Sequence, residues 1–205
     1  MRVPGAGRVI AGSARGIRLA GAGAGVRPMG DRLKEALFAI LEPRLRGGSV
    51  LDLFAGTGGA GIEALSRGAA AVTFVESARP AIAAIERNLA AAHLAGPAAR
   101  IVQADVGRWL LTATGPFDVV IADPPYDRSG RLETVLERVA GAAPPTGATL
   151  AAGGHALLAT DGILVAKHGS RTRLPERIGL LASERVRRFG ESSLTFYRWS
   201  EAEEP

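Results

Sequence analysis

Asp123-Pro124-Pro125-Tyr126 is the stretch whose residue types point most directly to chemistry. An exocyclic amine on a nucleic-acid base is a poor nucleophile, because its lone pair is delocalised into the ring. Two acceptors that bind its two N–H groups can hold the lone pair toward an electrophilic methyl group. The Asp123 carboxylate and the Pro124 carbonyl would be those acceptors, and Pro124 and Pro125 would stiffen the loop that aims them. Tyr126 offers an aromatic face for a base removed from its stack. Such a site works mainly by positioning, although Asp123 could also take a proton late in the transfer. Asp-Pro-Pro is equally a good turn, and its position in the chain decides between the two roles. It follows the apolar run Phe117–Asp123, which reads as a buried strand.

A second constellation lies upstream. Leu51 to Gly61 follows another strand-like run, and Gly56, Gly58 and Gly61 satisfy G-x-G-x-x-G. Glycines allow a sharp turn and close approach of a ligand to the backbone. The pattern suits a dinucleotide pyrophosphate at a helix start, and it suits the methionine part of S-adenosylmethionine as well. Glu76 ends the next strand, 20 residues after Gly56, where a carboxylate can accept from both ribose hydroxyls. Asp105, with Val106 after it, ends a third strand and could receive an adenine amino group. Asp52 stands just before the loop. It would repel phosphate but could receive the ammonium of a methionine moiety, which favours the sulfonium cofactor; a loop cap is its plainer reading. The cofactor-binding candidates are Asp52, Phe54, Ala55, Gly56, Thr57, Gly58, Glu76, Ser77, Asp105 and Val106.

These residues need a scaffold that gathers strand ends on one edge. The chain supplies strand signals at Ser49–Phe54, Ala71–Glu76, Arg100–Asp105, Phe117–Asp123 and Gly162–Lys167. Helical patterns separate them at Gly59–Arg67, Ala78–Leu94, Leu132–Val139 and Leu150–Ala159. Strands alternating with helices imply a parallel sheet covered on both faces. Runs near Leu180–Phe189 and Ser193–Trp199 read as a closing antiparallel hairpin. The expected fold is α/β and Rossmann-like, a mostly parallel seven-stranded sheet ending in that hairpin, as in S-adenosylmethionine-dependent methyltransferases. Residues 1–25 read as a basic β-hairpin and linker, 26–200 as the methyltransferase domain with a leading helix in 26–48, and 201–205 as an acidic tail. Asp31 is placed to cap the leading helix.

Composition excludes other chemistry. There is no cysteine, so no disulfide, thiolate ligand or cysteine nucleophile. His93, His155 and His168 lack ligand spacing, and no metal is expected. No apolar run reaches the roughly 20 residues of a membrane span, and no secretory signal is evident, so the expectation is a cytoplasmic protein without a membrane partner. The net charge of +5 is uneven, with basic ends and a mildly acidic middle. A basic surface built from both ends would attract a polyanion.

Taken together, these motifs resemble those of the RsmD family, bacterial methyltransferases of the small-subunit (16S) ribosomal RNA that act on guanine N2. The resemblance runs nearly the length of the chain. It is carried by Arg8–Leu19, Arg27-Pro28, Asp31–Phe38, Asp52–Gly58, Asp123–Tyr126, Phe189-Gly190 and Leu194–Arg198. It implies S-adenosyl-L-methionine as cofactor and a guanine 2-amino group as acceptor. The partner would be ribosomal RNA in an assembled or assembling small subunit, met by a monomer. Arg8, Arg15, Arg18, Arg27, Arg32, Arg185 and Arg188 then become candidate phosphate contacts, with Arg187 beside them. Met29-Gly30 depart from the two threonines usual in the family. The alternative is an amino methyltransferase acting on adenine or cytosine in DNA, or on another RNA. DNA enzymes more often carry Asn at the place of Asp123 and bring a larger recognition domain.

Overall fold

The computed structural model describes residues 6–23, 29–125, 129–141 and 157–200. They fall into two compact units, one up to Val106 and one from Gly107. In the first unit, α1 (Asp31–Leu45) precedes β1 (Ser49–Leu53), α2 (Gly59–Ser66), β2 (Ala71–Glu76), α3 (Arg79–Ala91) and β3 (Ala99–Gln103). The strands pair in parallel in the order β3-β2-β1. Nearly continuous burial along β1 and β2 explains their mostly apolar sequences without a period-two alternation. α1 buries Leu33, Leu37, Phe38, Leu41 and Leu45, a helical stripe. A single turn, α4 (Val106–Trp109), follows Asp105.

The second unit contains β4 (Phe117–Ala122), α5 (Ser129–Ala140), β5 (Leu158–Gly169), β6 (Arg177–Ile178), β7 (Leu181–Phe189) and β8 (Ser192–Trp199). β4 pairs in parallel with β5, and the rest is antiparallel in the order β5-β8-β7-β6. The closing hairpin is therefore present, turning at Gly190 with φ +59. Eight strands occur among the described residues, one more than expected. The additional strand, β6, is only two residues long, too short for a period of two to register.

Four readings need correction. Short strands were expected at Arg8–Gly12 and Ile17–Ala20; the antiparallel pairing is present, with Ala6 N–H donating to the Leu19 carbonyl at 2.8 Å, Leu19 N–H to that of Gly7 at 2.9 Å and Val9 N–H to that of Ile17 at 2.9 Å, but it is shorter than expected and centres on one bridge, Arg8 to Arg18. The arm is held as well by contacts with α1, α2 and α3 described below. Asp31 does not cap α1: the N-cap is Gly30, without a side-chain cap, and Asp31 lies in the first turn. Its carboxylate accepts from Arg8 Nε at 3.0 Å, while the negative charge still favours that helix end. Of the helix expected at Leu150–Ala159, residues 150–156 lie outside the described residues, and Leu158 and Ala159 already belong to β5, where Leu158 pairs with Phe117. Finally, β3 ends at Gln103, so Asp105 sits beyond the strand. Among the described residues no helix is long and apolar enough to cross a membrane.

Candidate active site

The glycine loop is built by the first unit. β1 leaves its ladder at Leu53, and Phe54 takes φ 60, a costly conformation for a side chain of this size. Gly56 and Gly58 follow at φ 56 and 79, in the left-handed region that glycine enters freely. Gly58 is the N-cap of α2. Ala55 N–H donates to the Val75 carbonyl at 3.1 Å, and Gly58 N–H to that of Ala55 at 2.8 Å. Ala55 and Thr57 are buried.

Gly61 explains why α2 can lie so close to β2. A Cβ there would stand 2.2 Å from Phe74 Cε1, and Phe74 is fully buried. The third glycine of the motif thus serves helix–strand packing. Asp52 stands opposite Phe74 in the β1–β2 register. It is buried, and its Oδ2 accepts from Gly61 N–H at 2.9 Å. So α2 docks on two residues that face each other across adjacent strands, a carboxylate for its amide and a ring where a Cβ would have been.

Glu76 closes the loop from the end of β2. Its Oε2 accepts from Gly56 N–H at 2.9 Å; its Oε1 accepts from the N–H groups of Ser77 at 2.8 Å and Ala78 at 2.9 Å. The 20-residue spacing thus corresponds to a direct contact between the Glu76 carboxylate and the first glycine of the motif. Carboxylate oxygens accept more than one donor each, and Glu76 is only partly buried. Asp105 is exposed, while Val106 after it is buried; Ala104 N–H donates to the Glu76 carbonyl at 2.9 Å, which ties this turn to the same edge.

Residues that the sequence did not single out hold the loop and the arm together. Asn88 of α3 is buried. Its Nδ2 donates to the carbonyls of Thr57 at 2.9 Å and Ala20 at 3.1 Å, and its Oδ1 accepts from Ala20 N–H at 2.7 Å. An asparagine between Ile85 and Leu89 interrupts an apolar stripe, and that break was the available signal. Glu63 of α2 is fully buried and receives Ile10 N–H at 2.8 Å and Ala11 N–H at 3.0 Å. Arg67 Nε donates to it at 2.8 Å, and Lys34 Nζ lies 3.7 Å away. Lys34 also donates to the Arg8 carbonyl. Burial foremost lowers the Lys34 pKa, against the pull of Glu63.

The second unit carries the other candidate. Asp123 follows β4 immediately, with a partly exposed side chain; Pro124 is buried and Pro125 exposed. Asp123 Oδ1 accepts from Lys167 Nζ at 2.6 Å. Among the described residues its Oδ2 accepts no hydrogen bond. Burial pushes the Asp123 carboxyl above its ordinary value, opposed by the Lys167 charge and hydrogen bond. Lys167 was read only as a strand residue. Its proximity arises from the β4–β5 register, in which Ala122 stands beside Ala166. Tyr126 lies outside the described residues, as does Arg27. Arg8, Arg15, Arg18 and Arg32 are exposed, as are Arg185, Arg187 and Arg188 on β7.

Comparison with known proteins now defines the class. A solved Escherichia coli structure, the candidate methyltransferase YhhF, superposes with TM-score 0.78 at 28% identity, covering 94% of this chain and 97% of that one. A Haemophilus influenzae structure described as a candidate methylase gives TM-score 0.73 at 26% identity, over 95% and 99%. The fold is that of the Rossmann-like methyltransferases. The family model described as "Conserved hypothetical protein 95" matches residues 7–198. The candidate rRNA methyltransferase YlbH of Bacillus subtilis is 36% identical over 93% of this chain and 98% of its own length. Ribosomal RNA small subunit methyltransferase D of E. coli is 38% identical over 63% of this chain and 64% of its own length. The chain belongs to the RsmD family of ribosomal RNA methyltransferases.

Proposed function

We propose that this protein transfers a methyl group from S-adenosylmethionine to the 2-amino group of a guanine in small-subunit ribosomal RNA. The observation that carries the reading is Asp123: a partly buried carboxylate, one oxygen held by Lys167 and the other without a partner among the described residues, next to a buried proline. That oxygen and the Pro124 carbonyl suit the two N–H groups of an amine. The donor set in the first unit supports the cofactor. Between Ser49 and Glu76 the only cationic side chain is Arg67, which is tied to Glu63 and Glu42. Asp52 in β1, Glu76 at the end of β2 and Asp105 just past β3 are a poor setting for a pyrophosphate and a good one for a cationic amino-acid group and a ribose. When bound, the cofactor supplies the electrophilic methyl. The chain's residues orient the amine, exclude water from its lone pair and accept its departing proton at Asp123 or through solvent. Tyr126 is assigned the stacking face for the base.

The exposed arginines of the arm and of β7 are assigned to RNA phosphates, and the substrate to the assembled or assembling small subunit. The names of the relatives support ribosomal RNA as the target class; the choice of guanine N2 rests on the family resemblance. Nucleoside mass spectrometry of small-subunit RNA, from cells with and without this protein, tests the reading. Loss of N2-methylguanosine is expected in its absence. An unchanged nucleoside profile, or loss of a different methylated base, refutes the assignment.

A further inference from the structure

We propose that Lys167 is a positioning residue of the amine-holding loop: it fixes the rotamer of Asp123 through Oδ1 and leaves Oδ2 for the base amine. The inference rests on the reading of Asp123 as the amine acceptor.

The geometry favours a fixed lysine over a wandering surface charge. Lys167 is buried, and its Nζ reaches Asp123 Oδ1 at 2.6 Å. It lies on β5, whose neighbours on both sides constrain it. On one side Ala166 stands in register with Ala122, so the next step along both strands brings Lys167 beside Asp123. On the other side Lys167 itself pairs with Leu194 of β8. Asp123, by contrast, is the first residue past its strand. An aspartate at a strand exit has χ1 freedom that its own backbone does not remove. A short charge-assisted bond from a residue inside the ladder removes it. The bond also bears on protonation. Burial alone drives a carboxyl toward its neutral form. A neutral carboxyl would present an O–H to the amine and engage the lone pair that must attack the methyl. An ammonium against Oδ1 favours the anion, which can only accept. Lys167 thereby sets both the direction and the acceptor character of Oδ2 without touching the substrate.

Methyl transfer to small subunits that lack the modification should be measured with wild type, Lys167→Met, Lys167→Gln and Lys167→Arg, beside S-adenosylhomocysteine affinity and melting temperature. Lys167→Met and Lys167→Gln should each lower kcat by about 100-fold, the scale of a lost alignment. KM for the particle and cofactor affinity should stay within about threefold, and Lys167→Arg should recover most of the rate. In an Asp123→Asn background, Lys167→Met should cost less than about twofold more, since one residue acts through the other. Unchanged kcat in Lys167→Met overturns the proposal. So does a loss of kcat that Lys167→Arg fails to restore, or one that multiplies with the loss from Asp123→Asn. If Met and Gln both fail to fold, a low rate in well-folded Lys167→Arg refutes it as well. Absence of transfer by wild type would instead defeat the underlying functional reading.

Discussion

Replacing Gly61 by alanine adds one methyl group at the point where α2 meets β2. Its carbon would stand 2.2 Å from Phe74 Cε1 and 2.7 Å from Cζ. Carbon atoms rest about 3.5–4.0 Å apart, so the overlap is about 1.3 Å or more. Phe74 is fully buried and has no free direction in which to swing. Overpacking a filled core costs about 1–3 kcal/mol, and an overlap this large belongs at the upper end. Alanine returns up to about 1 kcal/mol as a better helix former. The net loss is about 2 kcal/mol, or about 4–8 °C in Tm for a chain of this size. Displacing α2 also draws Gly61 N–H away from Asp52 and disturbs the loop that begins the helix. Gly59→Ala is the control, because a Cβ there meets nothing within 4 Å. Thermal melts and S-adenosylhomocysteine calorimetry on both variants should show Gly61→Ala destabilised and weaker in binding, with Gly59→Ala close to wild type. The damage should shrink in a Phe74→Leu background. Equal melting of the two alanine variants, or strict additivity with Phe74→Leu, would show that the close approach is not what limits this position.

Four further outcomes are expected. Asp123→Ala should abolish transfer while cofactor affinity stays within a few fold; parallel loss of both would make the residue structural. In the wild type the acid limb of kcat/KM should lie above 3.8, the ordinary aspartate value, because the ionised form is active and burial raises its pKa; a limb at or below that value argues against a desolvated acceptor. Glu63→Ala leaves Lys34 and Arg67 without their shared buried partner, a loss of about 3–5 kcal/mol, and should open Arg15 and Arg18 to trypsin in the folded protein; an arm as protected as in wild type would refute the anchoring role. His168 is buried and bonded to Thr195 Oγ1 at 2.8 Å, and burial foremost lowers its pKa below 6.5. The unfolded chain then binds the proton that the folded one refuses. The stability it contributes is complete above pH 6.5 and is lost as pH falls below it. Melts between pH 7.5 and 5.5 should fall more steeply in wild type than in His168→Gln, and parallel slopes would exclude the linkage.

What the sequence disclosed follows local rules. Ser49–Leu53 and Ala71–Glu76 are strands because short, mostly apolar runs can bury both faces, and the alternation with helices implied their parallel pairing. The Glu76 distance from Gly56 was legible because one strand–helix–strand unit has a nearly fixed length. What escaped was tertiary. Glu63, Asn88 and Lys167 look like ordinary polar residues until the fold brings them backbone amides or a carboxylate from 31 to 68 residues away. Asp31 misled for a related reason: a local cap competed with Arg8, and the ion pair prevailed. The helix read at Leu150–Ala159 failed at its described end because Leu158 found a strand partner in Phe117, and sheet pairing overrode helical periodicity.

The anchoring of the basic arm has a consequence for how such a protein can change. Glu63 grips the arm at the amides of Ile10 and Ala11, Ser66 Oγ accepts the amide of Ala14, and Asn88 takes both backbone groups of Ala20. These attachments ask little of the arm's own side chains. Arg15 and Arg18 point their exposure outward from a segment held by its main chain. Substitutions there can drift without loosening the arm, so the charge pattern it displays can be retuned while the docked backbone stays in place.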